Sequence, residues 1–452
     1  MRTGRVIAIA ALVGLVAGCG GGDPVAGPGS TQTASGSWIG GEPVWRLETE
    51  GEGGAGDSAV AAGSVAEEGA VLDASAAGGG GGDVAVPPGV VPQPTGPLQA
   101  GSVDDNADFA GYLDYLARIA DLGIPVRTFD PSGRIRATVT GSDGRPVAGI
   151  EVAVTDDAGA VTTQRTDSTG RIVFLPHGYG DLASTYHLTA GSASVDAAPG
   201  DDVTLTTDGP GGAAAGVPVD VLFLIDVTGS MADEVNQLTT TMASVAQELR
   251  DLPVAPDIRF AMTLYRDEGD TFVTATHDFT GDVTEFQAAL AEVVADGGGD
   301  TPEALDEGFA AALSEPAWRD PSTTEQFVFL IADAAPHVER QVTPYTQTML
   351  AAAQRGITVH AIGASATDDA AEYAFRAIAE ATGGRFVFLS YGAGGAALGG
   401  DTDIESTDYE TMSLDALVVR LVGESLQALT GVAAPPPTTT ATTAPPQQQQ
   451  GD

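Results

Sequence analysis

The sequence contains no lysine, so all 19 basic residues are arginine, and they are set against 62 acidic residues. The resulting formal net charge of −43 repels a phosphate backbone, which excludes nucleic acid as a partner. The charge also disfavours unassisted binding to an anionic membrane surface. The absence of lysine further excludes P-loop and receiver-type phosphate chemistry, because both place a lysine beside the phosphate.

Cysteine is almost absent as well, since Cys19 is the only one. A single cysteine excludes intramolecular disulfides and cysteine-based zinc sites. Cys19 follows two early arginines, Arg2 and Arg5, and a short apolar run over residues 6–16. That run is too short for a permanent membrane-spanning helix and predicts a signal peptide over residues 1–18.

The end of this segment, Val16-Ala17-Gly18-Cys19, resembles the lipobox of bacterial lipoproteins. The resemblance implies that Cys19 is lipidated, so that the protein is exported and anchored to a membrane of the cell envelope. Whether it faces the periplasm or the outside stays open. Gly20 stands where an Asp retains some lipoproteins at the inner membrane, which points weakly to the outer membrane.

Two segments lack the apolar periodicity that a folded core needs. Residues 19–100 are rich in Gly, Ala and Pro and predict a disordered tether. Residues 432–452 consist largely of Pro, Thr and Gln and predict a disordered tail.

Two smaller folded units are predicted between the tether and the main domain. Residues 101–130 contain apolar side chains at helical spacing from Phe109 to Ala120. Residues 131–208 alternate apolar and polar side chains between turn signals, which predicts a second, smaller β-sandwich domain. The stretches 143–149 and 166–171 resemble carboxypeptidase regulatory-like or bacterial Ig-like modules, which implies a spacer or adhesive role without catalysis.

Residues 216–431 alternate between strand-like and helix-like patterns. Val219–Ile225 and Phe327–Ala332 are nearly pure apolar runs, typical of strands buried on both faces. The alternation predicts an α/β domain with a doubly wound, mostly parallel sheet, and sites outside the carboxyl ends of its strands. The other predicted elements are strands Ile258–Leu264, Phe272–Thr276, Ile357–Ile362 and Arg385–Leu389, and helices Val235–Leu249, Glu303–Leu313, Met349–Arg355, Asp369–Thr382 and Leu414–Leu429.

Oxygen-bearing side chains follow three of these segments. The first strand ends in Asp226, with Thr228 and Ser230 at alternate positions of the next loop. Asp333 follows Phe327–Ala332, and a glycine-rich loop leads to Glu303. Carboxylate and hydroxyl oxygens are ligands that hard divalent cations prefer, so the sequence predicts a cation site at this edge.

The sequences DVTGSM, GGGDTPEA and LIADAAPH in these segments resemble a von Willebrand factor A domain with its metal-ion-dependent adhesion site. The resemblance implies a Rossmann-like fold in which Asp226, Thr228 and Ser230 bind Mg²⁺, or Mn²⁺ or Ca²⁺. It further implies that Asp333 binds through water and that a carboxylate of a protein ligand completes the coordination.

One position departs from the family pattern. Many members have a threonine where this chain has Gly299, and the stretch from 300 to 303 is instead similar to integrin beta subunits, which implies that Glu303 reaches the central metal. The same comparison suggests flanking cation sites, although helix-start acids and a solvated rim are the favoured explanation of those residues. The residues concerned are Asp233, Glu234, Asp267, Asp300 and Thr301.

Function is therefore predicted to be recognition of an acidic ligand through a bound cation, without enzymatic activity. A structural surface protein with a non-functional site is the first alternative. A metal-dependent phosphotransfer enzyme is the second, but Thr228 stands where dehalogenase-like phosphatases need a second Asp. Ser230 also lacks the G-x-S-x-G context of a hydrolase nucleophile. Of the histidines, His337 is predicted beside the site and His360 in the core.

Overall fold

The structure is a computed structural model that describes residues 98–299, 301–364, 367–391 and 410–433. The predicted signal peptide, lipidated Cys19, most of the tether and all but the first residues of the tail lie outside these ranges. Among the described helices, none has the length and apolarity needed to cross a membrane.

Fifteen strands and seven α-helices are described. The strands are β1 (Leu98–Val103), β2 (Ile135–Thr140), β3 (Glu151–Asp156), β4 (Gly159–Arg165), β5 (Arg171–Phe174), β6 (Tyr186–Ala190), β7 (Ala193–Ala197), β8 (Asp202–Thr206), β9 (Pro218–Asp226), β10 (Asp257–Tyr265), β11 (Thr274–Thr280), β12 (Glu325–Ala332), β13 (Thr358–Gly363), β14 (Phe386–Tyr391) and β15 (Glu410–Ser413). The helices are α1 (Phe109–Leu122), α2 (Ala232–Arg250), α3 (Val283–Ala291), α4 (Leu305–Ser314), α5 (Tyr345–Arg355), α6 (Asp369–Ala381) and α7 (Leu414–Thr430).

The main sheet has eight strands in the order β11-β10-β9-β12-β13-β14-β1-β15. The five central strands pair in parallel; they are β10, β9, β12, β13 and β14. The outer strands β11, β1 and β15 pair antiparallel. Along β9, side chains alternate between two cores: Val221 and Phe223 pack on the side of α2, α3 and α7, and Leu222 and Leu224 pack on the side of α4, α5 and α6. Burial on both faces explains the continuous apolar run, and it confirms the doubly wound, mostly parallel α/β fold.

The amino-terminal boundary of the main sheet differs from the prediction. Residues 98–103, assigned to the tether and to the start of a helical segment, form β1, which lies antiparallel between β14 and β15. The predicted helix is present as α1, which begins at Phe109 behind the capping side chain of Asp108. Residues that precede the sandwich in sequence are therefore part of the main sheet.

Residues 135–206 form two small sheets, β5-β2-β8 and β4-β3-β6-β7, as their alternating pattern predicts. The inward side chains of both sheets share one core that includes Ile135, Val154, Phe174 and Leu188. The unit also contacts the main domain: the Arg145 guanidinium donates to the Leu429 carbonyl near the end of α7, at 2.7 Å. The resemblance to particular module families stays a prediction.

Candidate metal centre

The candidate site lies where two neighbouring parallel strands, β9 and β12, reach the same edge of the sheet. Asp226 is the last residue of β9, and Asp333 is the first residue after β12. β10 pairs with one side of β9, and β12 pairs with the other. In open α/β sheets, ligands bind at the carboxyl ends of the strands where the strand order reverses in this way.

In the loop after β9, hydrogen bonds fix the side chains of Asp226 and Thr228 relative to each other. The Thr228 backbone NH and hydroxyl both donate to Asp226 Oδ1, at 2.9 and 2.7 Å, and the Thr228 and Ser230 hydroxyl oxygens are 3.3 Å apart. Asp226 and Thr228 are completely buried. Asp226 Oδ2 makes no hydrogen bond of acceptable geometry, although the buried Tyr265 hydroxyl lies near enough to lower the Asp226 pKa.

The glycine-rich loop packs directly against this segment. The Gly229 NH donates to the Gly297 carbonyl at 3.0 Å. Gly298 has a positive φ of 66°, and a Cβ there would lie 2.8 Å from Glu303 Oε1 and 3.1 Å from the Thr228 Cβ. Glu303 and Thr228 therefore approach each other across a position that only glycine fits.

Glu303 is fixed from the other side by the segment that follows Asp333. The Glu303 NH donates to the Ala335 carbonyl at 3.0 Å. Glu303 is 2% and Asp333 7% exposed, and Glu303 Oε2 and Asp333 Oδ1 also lack hydrogen-bond partners. Three segments thus bring buried carboxylate oxygens without partners to one edge of the sheet.

The electrostatics of the three acids reflect their burial next to one another. Burial, and then the charge of Asp333, raises the pKa of Asp226 to about 7. Burial, and then the charge of Asp226, raises the pKa of Glu303 to about 8. The pKa of Asp333 is raised to about 6, mainly by burial. Neighbouring carboxylates thus make ionisation of Asp226 and Glu303 less favourable, which is the setting that a cation relieves.

These donors fit a hard divalent cation better than zinc, because they are all oxygens and two of them are hydroxyls. Among the described residues, no group of three or more His, Cys, Asp or Glu side chains has the spacing of a metal site. Two of the five predicted ligands, Thr228 and Ser230, bear hydroxyls and do not belong to those residue types. The five positions meet at one edge, and their role as ligands stays a prediction.

The residues predicted for flanking cation sites are placed differently from one another. Asp267 Oδ1 lies 2.8 Å from His337 Nε2 and 3.5 Å from the Arg340 guanidinium, so it already faces basic groups. Glu234 is buried in the first turn of α2, and Thr301 is exposed. Asp300 and the side chain of Asp233 lie outside the described residues. The flanking sites stay predictions.

Other residues near the site have structural roles that local patterns did not reveal. Asp270 Oδ2 accepts from the NH groups of Asp267 and Gly298, at 3.1 and 2.9 Å, and so fixes the glycine loop. Arg340 contacts Asp267 from a segment 73 residues further along the chain. His360 is packed in the core beside the Phe329 ring, as predicted, with centroids 5.2 Å apart.

Comparison with known proteins relates this part of the chain to one kind of domain. Residues 220–391 match the family model described as the von Willebrand factor A domain, so this part of the chain is similar to that domain. An ariadne-like RING finger protein of Acanthamoeba polyphaga mimivirus is 31% identical over 119 residues, which are 26% of this chain and 11% of that protein. An alpha-protein kinase of Dictyostelium discoideum is 32% identical over 120 residues, which are 26% of this chain and 19% of that protein.

Both relatives are therefore matched over less than a fifth of their own length. Among solved structures, proximal thread matrix protein 1 from the mussel byssus, with a zinc-occupied MIDAS motif, is 14% identical with a TM-score of 0.33. That match covers 42% of this chain and 50% of the mussel protein.

Proposed function

We propose that the von Willebrand factor A domain binds a partner protein through a divalent cation held at the edge of β9 and β12. The observation that carries the proposal is the set of three buried carboxylate oxygens without hydrogen-bond partners, on Asp226, Glu303 and Asp333. Burying ionisable groups without a counter-charge costs stability. A bound cation supplies that charge and gives a partner's carboxylate a group to coordinate.

The residues of the site have separate roles in this proposal. Asp226, Thr228 and Ser230 hold the cation, and the Thr228 NH and hydroxyl orient the Asp226 carboxylate by donating to it. Asp333 acts through a water molecule, and Glu303 contributes charge from the adjoining segment. Mg²⁺ is the first candidate, with Mn²⁺ and Ca²⁺ as alternatives, because all three accept oxygen ligands.

Lipidation of Cys19 would display this domain on the cell envelope. In that arrangement the tether provides reach, and the β-sandwich of residues 135–206 acts as a spacer. A structural role without cation binding accounts less well for the site, because three buried carboxylates, each with one oxygen that lacks a hydrogen bond, then lower stability to no benefit. Phosphotransfer is not proposed, because the chain has no lysine to hold a phosphate.

Thermal unfolding with and without Mg²⁺, Mn²⁺ or Ca²⁺ tests the proposal. A cation at 100 times its Kd stabilises the folded protein by about 2.7 kcal/mol, so the melting temperature should rise by about 5–10 °C. Asp226→Asn should abolish the rise, because it removes the anionic ligand. The same substitution should not lower the melting temperature without cation, because it also removes a buried charge.

Asp220→Asn is the matched control, since Asp220 is equally buried on β9 but lies at the opposite end of the strand, paired with Arg259. This variant should be less stable than the wild type yet keep the full cation-dependent rise. No rise in the wild type with any of the three cations contradicts the proposal.

A further inference from the structure

Arg127 lies in the segment between α1 and β2, outside the residues that match the von Willebrand factor A family. Its guanidinium nevertheless reaches the main domain. One nitrogen lies 2.5 Å from Asp306 Oδ2. The other donates to the His337 carbonyl at 2.9 Å and to the Val338 carbonyl at 3.2 Å. A single side chain therefore bridges two segments of the main domain.

Those two segments are the ones that deliver Glu303 and Asp333. Asp306 lies in the first turn of α4, three residues after Glu303. His337 and Val338 lie in the loop that leaves Asp333. Arg127 thus contacts the segments whose backbone places Glu303 and Asp333, and its hydrogen bonds are made to other residues of those segments.

A third element joins the same bridge. The Tyr345 NH, at the start of α5, donates to Asp306 Oδ1 at 2.7 Å. The Tyr345 hydroxyl donates to the Arg127 carbonyl at 2.8 Å. Asp306 is only 2% exposed, so its bonds form away from water, where a charged pair loses much when one partner is removed. The start of α4, the loop after Asp333 and the start of α5 are fastened together at Arg127.

We infer that Arg127 is a positioning residue for the cation site. It holds the start of α4 and the loop after β12 at the separation that lets Glu303 and Asp333 face one cation. The inference rests on the proposed function, because it assigns Arg127 a role in that same site. Arg127 lies in residues 123–134, which join α1 to the β-sandwich. Cation affinity is therefore coupled to the position of this joining segment.

Charge alone predicts the opposite effect of removing Arg127. Deleting a positive charge near an acidic site strengthens cation binding by electrostatics. Loss of positioning weakens it, because groups that orient metal ligands typically contribute about 10- to 100-fold in affinity. The sign of the change therefore distinguishes a positioning role from a simple charge effect.

The experiment is calorimetric titration of the full chain with Mg²⁺ or Mn²⁺. Arg127→Ala should weaken cation binding by about tenfold. Arg127→Lys should give an intermediate affinity, because an ammonium keeps the charge but cannot bridge both segments as a guanidinium does. If Arg127→Ala does not fold, the Lys variant alone decides the matter, and wild-type affinity in that variant overturns the inference.

Arg355→Ala is the matched control. Arg355 donates to the Leu313 carbonyl at 2.7 Å and so joins the same two helices, α4 and α5, at their ends remote from the site. This variant should lose stability but keep wild-type cation affinity. Unchanged or tighter binding in Arg127→Ala overturns the inference about Arg127, whereas no cation binding in the wild type overturns the proposed function itself.

Amide hydrogen exchange gives a second readout that a merely structural role does not change. Because coupling is reciprocal, Mg²⁺ should slow exchange of the Phe129 NH, which donates to the Tyr373 hydroxyl at 3.0 Å in the same segment. The slowing should disappear in Arg127→Ala at a Mg²⁺ concentration that saturates both proteins. Equal slowing in both proteins contradicts the coupling.

Discussion

Individual side chains at the candidate cation site show how an acidic protein accommodates acids inside its fold. Asp226 uses one carboxylate oxygen to order its loop, through the Thr228 NH and hydroxyl, and leaves the other without a partner. Glu303 and Thr228 both lie against Gly298, where a Cβ would crowd them. Burial and the neighbouring carboxylates raise the pKa values of Asp226 and Glu303.

Glu325 lies at the start of β12, remote from the candidate cation site, and allows the cost of a buried acid to be measured separately. Burial, and then the charge of Asp167 in the sandwich, raises its pKa from 4.5 to about 8. The folded state therefore holds this proton more tightly than the unfolded state, and stability falls as pH rises from about 4.5 to about 8. Glu325→Gln removes that fall.

We expect Glu325→Gln to exceed the wild type in free energy of unfolding at pH 8.5 by at least about 1 kcal/mol, since one pKa unit corresponds to ~1.4 kcal/mol. At pH 5 the two proteins should differ little. Urea unfolding at both values, with EDTA present, measures the difference. The exposed Glu151→Gln serves as the control, and an equal advantage at both pH values contradicts the expectation.

Sequence patterns identified residues whose chemistry is local and missed those defined by distant contacts. Asp226, Thr228 and Ser230 share one loop after one apolar strand, so their spacing alone brings them together. Arg127 meets Asp306 from 179 residues away, and no period or motif marks such a pair. The fold had to be known before this pair became visible.

At the scale of elements, β1 is the strand that ties the amino-terminal part of the chain to the main domain. It pairs with β14 over six residues and with β15 over four. Gly101 lies so close to the Phe388 ring that a Cβ would come within 2.2 Å of it. The main sheet is therefore incomplete when the chain is cut at the boundary of the family match.

Removing β1 should destabilise the main domain. A chain that begins at residue 104 loses several ladder hydrogen bonds, each contributing roughly 0.5–1.5 kcal/mol, so its free energy of unfolding should fall by at least about 3 kcal/mol. A chain that begins at residue 98 is the control and should match the full protein. Equal urea midpoints for the two shortened chains contradict this role of β1.

The elements predicted best are those buried on both faces. β9, β12 and the predicted helices lie within a few residues of their expected bounds, because continuous apolar runs and helical periodicity fix them. β1 and β15 were missed, since short strands near a sheet edge carry little apolar pattern. The third predicted strand, Phe272–Thr276, is displaced to β11, and α3 was not predicted.

The whole molecule carries a formal net charge of −43, so its contact with an anionic membrane needs an anchor. Lipidation of Cys19 supplies one in the proposed arrangement. The wild type should sediment with membranes and Cys19→Ser should appear in the soluble fraction of the exporting cell. Asp226→Asn should remain with the membranes, since it changes only the cation site. Membrane retention of Cys19→Ser contradicts the lipid anchor.

A divalent cation at the edge of β9 and β12 can be detected by anomalous diffraction from crystals grown with Mn²⁺. We expect one strong peak roughly 2.0–2.6 Å from the Asp226 carboxylate and from the Thr228 and Ser230 hydroxyls. No peak at these residues in saturating Mn²⁺, or peaks only at exposed acids elsewhere, would show that the three residues do not hold a cation.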